Sequence, residues 1–145
     1  MGFYRRELRQ VDAATGEVVE GKQVLIPPKH RLSGDFIMAM QEGFLRLAGD
    51  EELTRQDFRV LLSYMGNLDF ENFIQVKQQY IADSLGIKRQ RVCESTKKLV
   101  EKGILIKGPK VGKHITYRLN AFYGWKGKAD KKYWETCEEH LRKVP

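Results

Sequence analysis

Two periods of apolar and polar positions run along this chain, and the changes of period divide it into elements. Between residues 3 and 26 the apolar positions come in short β-branched runs, around Val11, then Val18-Val19, then Val24-Leu25-Ile26. Short runs of that composition predict an antiparallel hairpin, with strand runs at 9–12, 17–19 and 23–26 and a turn at Ala14-Thr15-Gly16. Gly16 supplies the positive φ the turn needs, and Pro27-Pro28 stops the sheet because neither residue can donate a ladder hydrogen bond. From residue 35 the period becomes helical. Asp35 caps a predicted helix through about Leu47, with Phe36, Ile37, Met40, Phe44 and Leu47 at helical spacing. Met38 and Leu45 widen its apolar surface, so it is either deeply packed or part of a subunit interface. A second helix opens with Thr54 as N-cap and Asp57 three positions on. Its inward face is Phe58, Leu61, Leu62 and Met65, and Gly66-Asn67 forms a left-handed stop. The apolar connector 68–74, with Phe70 and Phe73, is short enough to pair as an edge strand.

Residues 76–107 carry the sharpest pattern. Two short amphipathic helices meet at Gly86, and the second ends at Gly103 and runs into the apolar strand Ile104-Leu105-Ile106. That is the layout of a winged helix-turn-helix. Tyr80, Ile81 and Leu85 face inward from the first helix, and Val92, Thr96, Leu99 and Val100 from the second. Positions 90, 91, 94, 97 and 98 are left outward. The wing follows as a strand at 104–107, a turn at 108–113 and a strand at 114–119, where Ile115, Tyr117 and Leu119 alternate as half-buried residues do. A last helix at 130–143 places Trp134, Cys137 and Leu141 on one face. That face packs on its own domain or against a second copy. The expected fold is therefore α+β: a winged helix-turn-helix domain at 35–128, an N-terminal β-hairpin extension at 1–34 and a C-terminal helix at 129–145.

Charge sharpens this picture once it is located. The net charge of +7 is concentrated between Lys88 and Arg118, where ten Lys or Arg face two acids; elsewhere 16 basic residues meet 17 acidic ones. A charge run alone is usually a solvated face. One that coincides with a helix-turn-helix pattern points to duplex phosphates, which reward clustered cations by counterion release. The expected partner is double-stranded DNA. Gln90 and Arg91, with Glu94, would meet base edges in the major groove, while Lys88, Arg89, Lys97, Lys98 and Lys107 would hold phosphates. Lys110, Lys113 and His114 at the wing would reach the adjacent groove or backbone. Glu94 either accepts from a cytosine amino group or pairs along the helix with Lys97 or Lys98.

Several function classes are not expected. At 145 residues the chain suits one domain, and no stretch reaches the roughly 20 apolar residues that span a bilayer. The start, Met1-Gly-Phe-Tyr-Arg-Arg-Glu, lacks the apolar run of a secretion signal, so a cytoplasmic location is expected. Cys93 and Cys137 form no CxxC pair and His30, His114 and His140 are scattered, so neither a metal nor a cofactor is expected. The segment 108–114 superficially suggests a phosphate loop. It has three residues between its glycines rather than four, and His114 stands where a Mg²⁺-binding hydroxyl belongs. No nucleophile-and-base arrangement is evident, and an enzyme is not expected.

Between Val24 and Lys128 the chain resembles plasmid replication initiators of the RepL type, a winged-helix group. The resemblance is carried by Asp35-Phe-Ile-Met-Ala-Met40, the Leu53-Thr54 helix start, Leu68-Asp-Phe-Glu-Asn-Phe-Ile74 and Ile81-Ala-Asp-Ser-Leu-Gly86-Ile87. Its most distinctive part is Tyr117-Arg-Leu-Asn120, followed by Tyr123-Gly-Trp-Lys-Gly-Lys128. The likeness implies origin binding, with host replication proteins as a further class of partner; a homodimer is the separate expectation from helix-turn-helix proteins, which commonly pair on symmetric sites. The chain departs from the pattern at Lys88, Cys93 and Glu94, where a Ser or Thr cap and a Ser-Arg pair are usual. Winged-helix transcriptional regulators of the MarR type are similar through 53–119 without that tail, and a regulator is the alternative reading. A module whose basic face meets an acidic protein is a third.

Overall fold

The computed structural model describes residues 35–145 and, ahead of them, the backbone of four short strands. The chain divides into two units, at residues 1–35 and 36–145. In the first, β1 (Tyr4–Glu7) pairs antiparallel with β4 (Gln23–Ile26), and β2 (Gln10–Val11) with β3 (Val18–Val19). These are the ladders of a hairpin; the expected turn at 14–16 and the Pro27-Pro28 stop lie outside the described residues.

The second unit opens differently from its sequence pattern. Residues 35–40 are not helical, and α1 (Gln41–Gly49) starts five residues later than expected, with Met40 rather than Asp35 as its N-cap and no side-chain bond from it. The cause is tertiary. The Met38 amide donates to the Trp125 carbonyl at 2.9 Å, and the Met38 carbonyl accepts in return from the Trp125 amide at 2.7 Å, which holds the segment extended. α1 then lies close on the chain at 122–123, where a Cβ on Gly43 would stand 2.9 Å from the Phe122 carbonyl oxygen. Gly43 and Leu47 are buried, whereas Phe36, Phe44 and Leu45 are exposed, so the expected apolar stripe is only partly used.

α2 (Arg55–Gly66) has the expected capping box: the Asp57 amide donates to the Thr54 hydroxyl, and the Asp57 carboxylate accepts from the Thr54 amide at 2.9 Å. Its buried face is Asp57, Val60, Leu61 and Tyr64, with Phe58 and Met65 half-buried; Leu62 is 63% exposed, contrary to expectation. The stop at Asn67 has φ −117°, not the left-handed value expected. A 3-10 turn at Phe70–Asn72 leads into β5 (Phe73–Ile74), which does pair as the edge strand. α3 (Gln78–Leu85) ends on Gly86 at φ 65°, and α4 (Arg89–Glu101) follows after two residues. Tyr80, expected inside, is exposed, while Ile81, Val92, Thr96 and Leu99 are buried as expected.

β6 (Leu105–Val111) and β7 (His114–Leu119) complete an antiparallel sheet of order β5-β7-β6. The turn between them is two residues, Gly112 and Lys113, not the six of the expected loop. Gly108 and Pro109 instead lie within β6, where the register slips between Lys107 and Lys110 and the Thr116 hydroxyl donates to the Pro109 carbonyl at 2.6 Å. A bulge accommodates a proline that a regular ladder would exclude. The main core gathers Val60, Leu61, Tyr64, Ile81, Val92, Leu99, Ile104, Leu105 and Leu119 beneath this sheet and the α2–α4 cluster.

α5 (Lys131–Leu141) is capped by Asp130, which accepts from the Tyr133 amide at 3.2 Å. Its buried residues are Tyr133, Cys137 and His140; Trp134 and Leu141, expected on the packed face, are 55% and 37% exposed. His140, 2% exposed, anchors the helix: its Nδ1 accepts from the Ala121 amide at 3.0 Å and its carbonyl accepts from the Asn120 amide group. Burial, reinforced by the nearby positive charges of Arg118 and Lys143 against the weaker opposing pull of Glu139, lowers its pKa from 6.5 to about 4. The folded state therefore needs His140 neutral, and unfolding takes up a proton below about pH 6.5. Stability should fall by about 3 kcal/mol as the pH drops from about 6.5 to about 4. Urea unfolding at several pH values checks this. His140→Asn, which keeps an acceptor and cannot ionise, should flatten that window; an unchanged slope would assign it elsewhere. Asp57 does not confuse the result, because its pKa is lowered to about 2 and its contribution is lost only below 3.8.

Candidate nucleic-acid interface

The outward face of α4 is positioned by its inward one. Asp57 of α2 accepts from the Ser95 hydroxyl at 2.7 Å and from the Lys98 ammonium at 2.8 Å, and the Tyr64 hydroxyl meets Thr96 Oγ1 at 2.8 Å. Burial alone would raise the Asp57 pKa, but the hydrogen bonds from Lys98, Thr54 and Ser95 outweigh it and hold the carboxylate ionised down to about pH 2. α3 is tied in by Arg59, whose guanidinium donates to the Leu85 carbonyl at 3.0 Å. Three helices are thus locked by buried or half-buried polar contacts, as well as by the core they share.

With α4 fixed in this way, Lys88, Arg89, Gln90, Arg91, Glu94 and Lys97 are all exposed. The Arg91 side chain is 70% exposed and lies 3.7 Å from the Glu94 carboxylate, which also accepts from Gln90 at 3.3 Å. Glu94 therefore pairs along its own helix, but with Arg91 and Gln90 rather than with the expected Lys97 or Lys98. Lys88 caps α4 through its backbone carbonyl only. On the hairpin, Lys107, Lys110, Lys113 and His114 are exposed.

Three of the ten clustered cations have structural employment. Lys98 serves Asp57, and Lys102 bridges Asp50 at 2.8 Å and Glu52 at 2.9 Å. Arg118 donates to the Glu71 carbonyl at 2.9 Å and stacks on the Phe73 ring at 4.6 Å. Lys98 is thereby turned toward α2 rather than outward. Lys88, Arg89, Lys97, Lys107, Lys110 and Lys113 have no carboxylate partner among the described residues. Coulomb repulsion between unpaired like charges disfavours such a surface unless an anion is bound to it.

α4 and the hairpin tip come together across one groove of about 710 Å³, lined by Arg89 and Cys93 from α4, by Lys113 from the turn and by His114 at the start of β7. Lys77, Gln78 and Gln79, at the start of α3, line it too. Sequence reasoning overlooked that polar run, in which Lys77 caps the first helix of the pair as Lys88 caps the second. Among the described residues no group of three His, Cys, Asp or Glu could hold a metal ion, and no helix is long and apolar enough to cross a membrane. No protein-family model matches the sequence, and neither a curated protein nor a solved structure is significantly similar to it.

Proposed function

We propose that this protein binds double-stranded DNA in the manner of a winged helix-turn-helix, with α3 and α4 as the helix pair and β6–β7 as the wing. The reading rests on one observation: the exposed cations without carboxylate partners that lie on α4 and on the hairpin tip, across a shared groove. A helix in the major groove with a cationic hairpin beside it places side chains on bases and backbone together. Gln90 and Arg91 take the base-reading role, with Glu94 orienting both. Lys88, Arg89, Lys97, Lys107, Lys110 and Lys113 take the phosphates, with His114 beside them, and Lys98 is assigned to Asp57 instead. The likeness to RepL-type initiators makes a replication origin the proposed target. Trp134 and Leu141, exposed on α5, are the proposed contact of a second copy on a symmetric site.

Selection of bound sequences from a random duplex pool, followed by titration of Arg91→Ala, tests the assignment. The Arg91 side chain is 70% exposed and pairs with exposed Glu94, so the fold should be unaffected. Loss of a bidentate guanine contact should cost about 1–3 kcal/mol on the selected site and much less on scrambled DNA. Equal losses on both would remove Arg91 from base reading.

A further inference from the structure

We propose that the groove between α4 and the hairpin receives an unpaired nucleobase, so that the protein prefers duplex DNA with a locally opened strand. This rests on the DNA-binding reading and adds a second ligand conformation to the same surface.

The lining of the groove supports this assignment. Ile115 and Tyr117 of β7, Ile74 of β5, and Arg89 and Cys93 of α4 all line it. Tyr117 is paired with Ile74 across the sheet, so the two side chains share a face, and Ile115 follows on that face two residues earlier. No Asp or Glu is among the lining residues, whereas Lys77, Arg89, Lys113 and His114 are. An aromatic and aliphatic interior combined with an acid-free cationic lining is the chemistry that binds single-stranded nucleic acid: the base stacks on the ring and its phosphate meets the cations. At about 710 Å³ the groove also falls in the range of about 300–1,000 Å³ typical of small-ligand sites.

Geometry disfavours the closed duplex as its occupant. A duplex lying on α4 and the hairpin tip presents stacked base pairs behind a rigid backbone, and it cannot send a planar group into an apolar recess. A base swung out of the stack can. The cost of unstacking is a few kcal/mol and is smallest where pairing is already broken, so binding here selects opened DNA over closed DNA.

The test uses the full chain and two duplexes of one sequence, one with 2-aminopurine paired and one with it unpaired as a single-base bulge. By anisotropy the bulged duplex should bind about tenfold more tightly, the value of one base–aromatic stack. The fluorescence of the unpaired probe should be quenched on binding. Tyr117→Leu, which keeps an apolar side chain in the half-buried site, should bring the two affinities together and restore the fluorescence while intact-duplex binding stays within about twofold. Ile115→Gln, at an exposed position, should narrow the difference without touching the core. Equal affinities for the two duplexes, or equal losses on both in the variants, would overturn the inference and leave duplex binding standing. Failure to bind either duplex would sink both readings together.

Discussion

Asn72→Ala is expected to cost about 4 kcal/mol. Asn72 is fully buried and spends its whole side chain on the backbone. Its amide group donates to the Leu119 carbonyl at 3.0 Å and the Gly124 carbonyl at 2.6 Å, and its oxygen accepts from the Lys126 amide at 2.9 Å. Truncation strands two carbonyls and one N–H in a place water reaches poorly, each costing about 1 kcal/mol or more. The residue also stands at φ 67°, a conformation asparagine tolerates and alanine resists by about 1–2 kcal/mol. Asn72→Gly separates the causes, because glycine removes the bonds and keeps the conformation. Urea unfolding should rank wild type, Asn72→Gly and Asn72→Ala in descending stability. A loss below about 1 kcal/mol for Asn72→Ala would show that water replaces the amide and that the site is not a hub.

Raising the salt from about 50 to about 200 mM should weaken duplex binding about a thousandfold, the expectation for six neutralised phosphates and a logarithmic slope near −5. The six are Lys88, Arg89, Lys97, Lys107, Lys110 and Lys113, none of which has a carboxylate partner among the described residues to release first. Lys110→Ala should lower the slope by about one and weaken all duplexes alike. Lys98→Ala is the informative contrast. Its ammonium is already bound to Asp57, so the slope should hold while stability falls, the buried Asp57 carboxylate being left with the Ser95 hydroxyl and the Thr54 amide but without its cation. A slope of about −2 or shallower would mean that the hairpin lysines do not reach the backbone.

Local chemistry explains which elements were legible. Thr54 with Asp57, Gly86 and Gly103 are decided within a few residues: a hydroxyl facing an amide, or a φ that only glycine adopts cheaply. The helix pair, the two hairpin strands and the edge strand at Phe73–Ile74 could be read in the same way. Where burial was inferred from periodicity alone, the partner element had the last word. Leu62, Tyr80 and Trp134 sit at apolar positions of their helices yet are exposed, while Val60, Tyr64 and Tyr133 on the same helices are buried.

The same distinction runs through the candidate site. Sequence alone determined that two glycine-ended helices and a β-hairpin follow one another, and that basic residues collect on the second helix and the hairpin, because spacing, capping and charge are local properties. Tertiary structure decided that residues 35–40 run extended, since their hydrogen bonds go to Trp125 across the fold. It decided too that Lys98, Lys102 and Arg118 belong to the scaffold, since their partners lie 41 to 52 residues away in the chain. An ionic partner at that separation leaves no trace in the pattern of the helix that bears the charge, so the number of cations could be counted beforehand but not how many of them are left for a ligand.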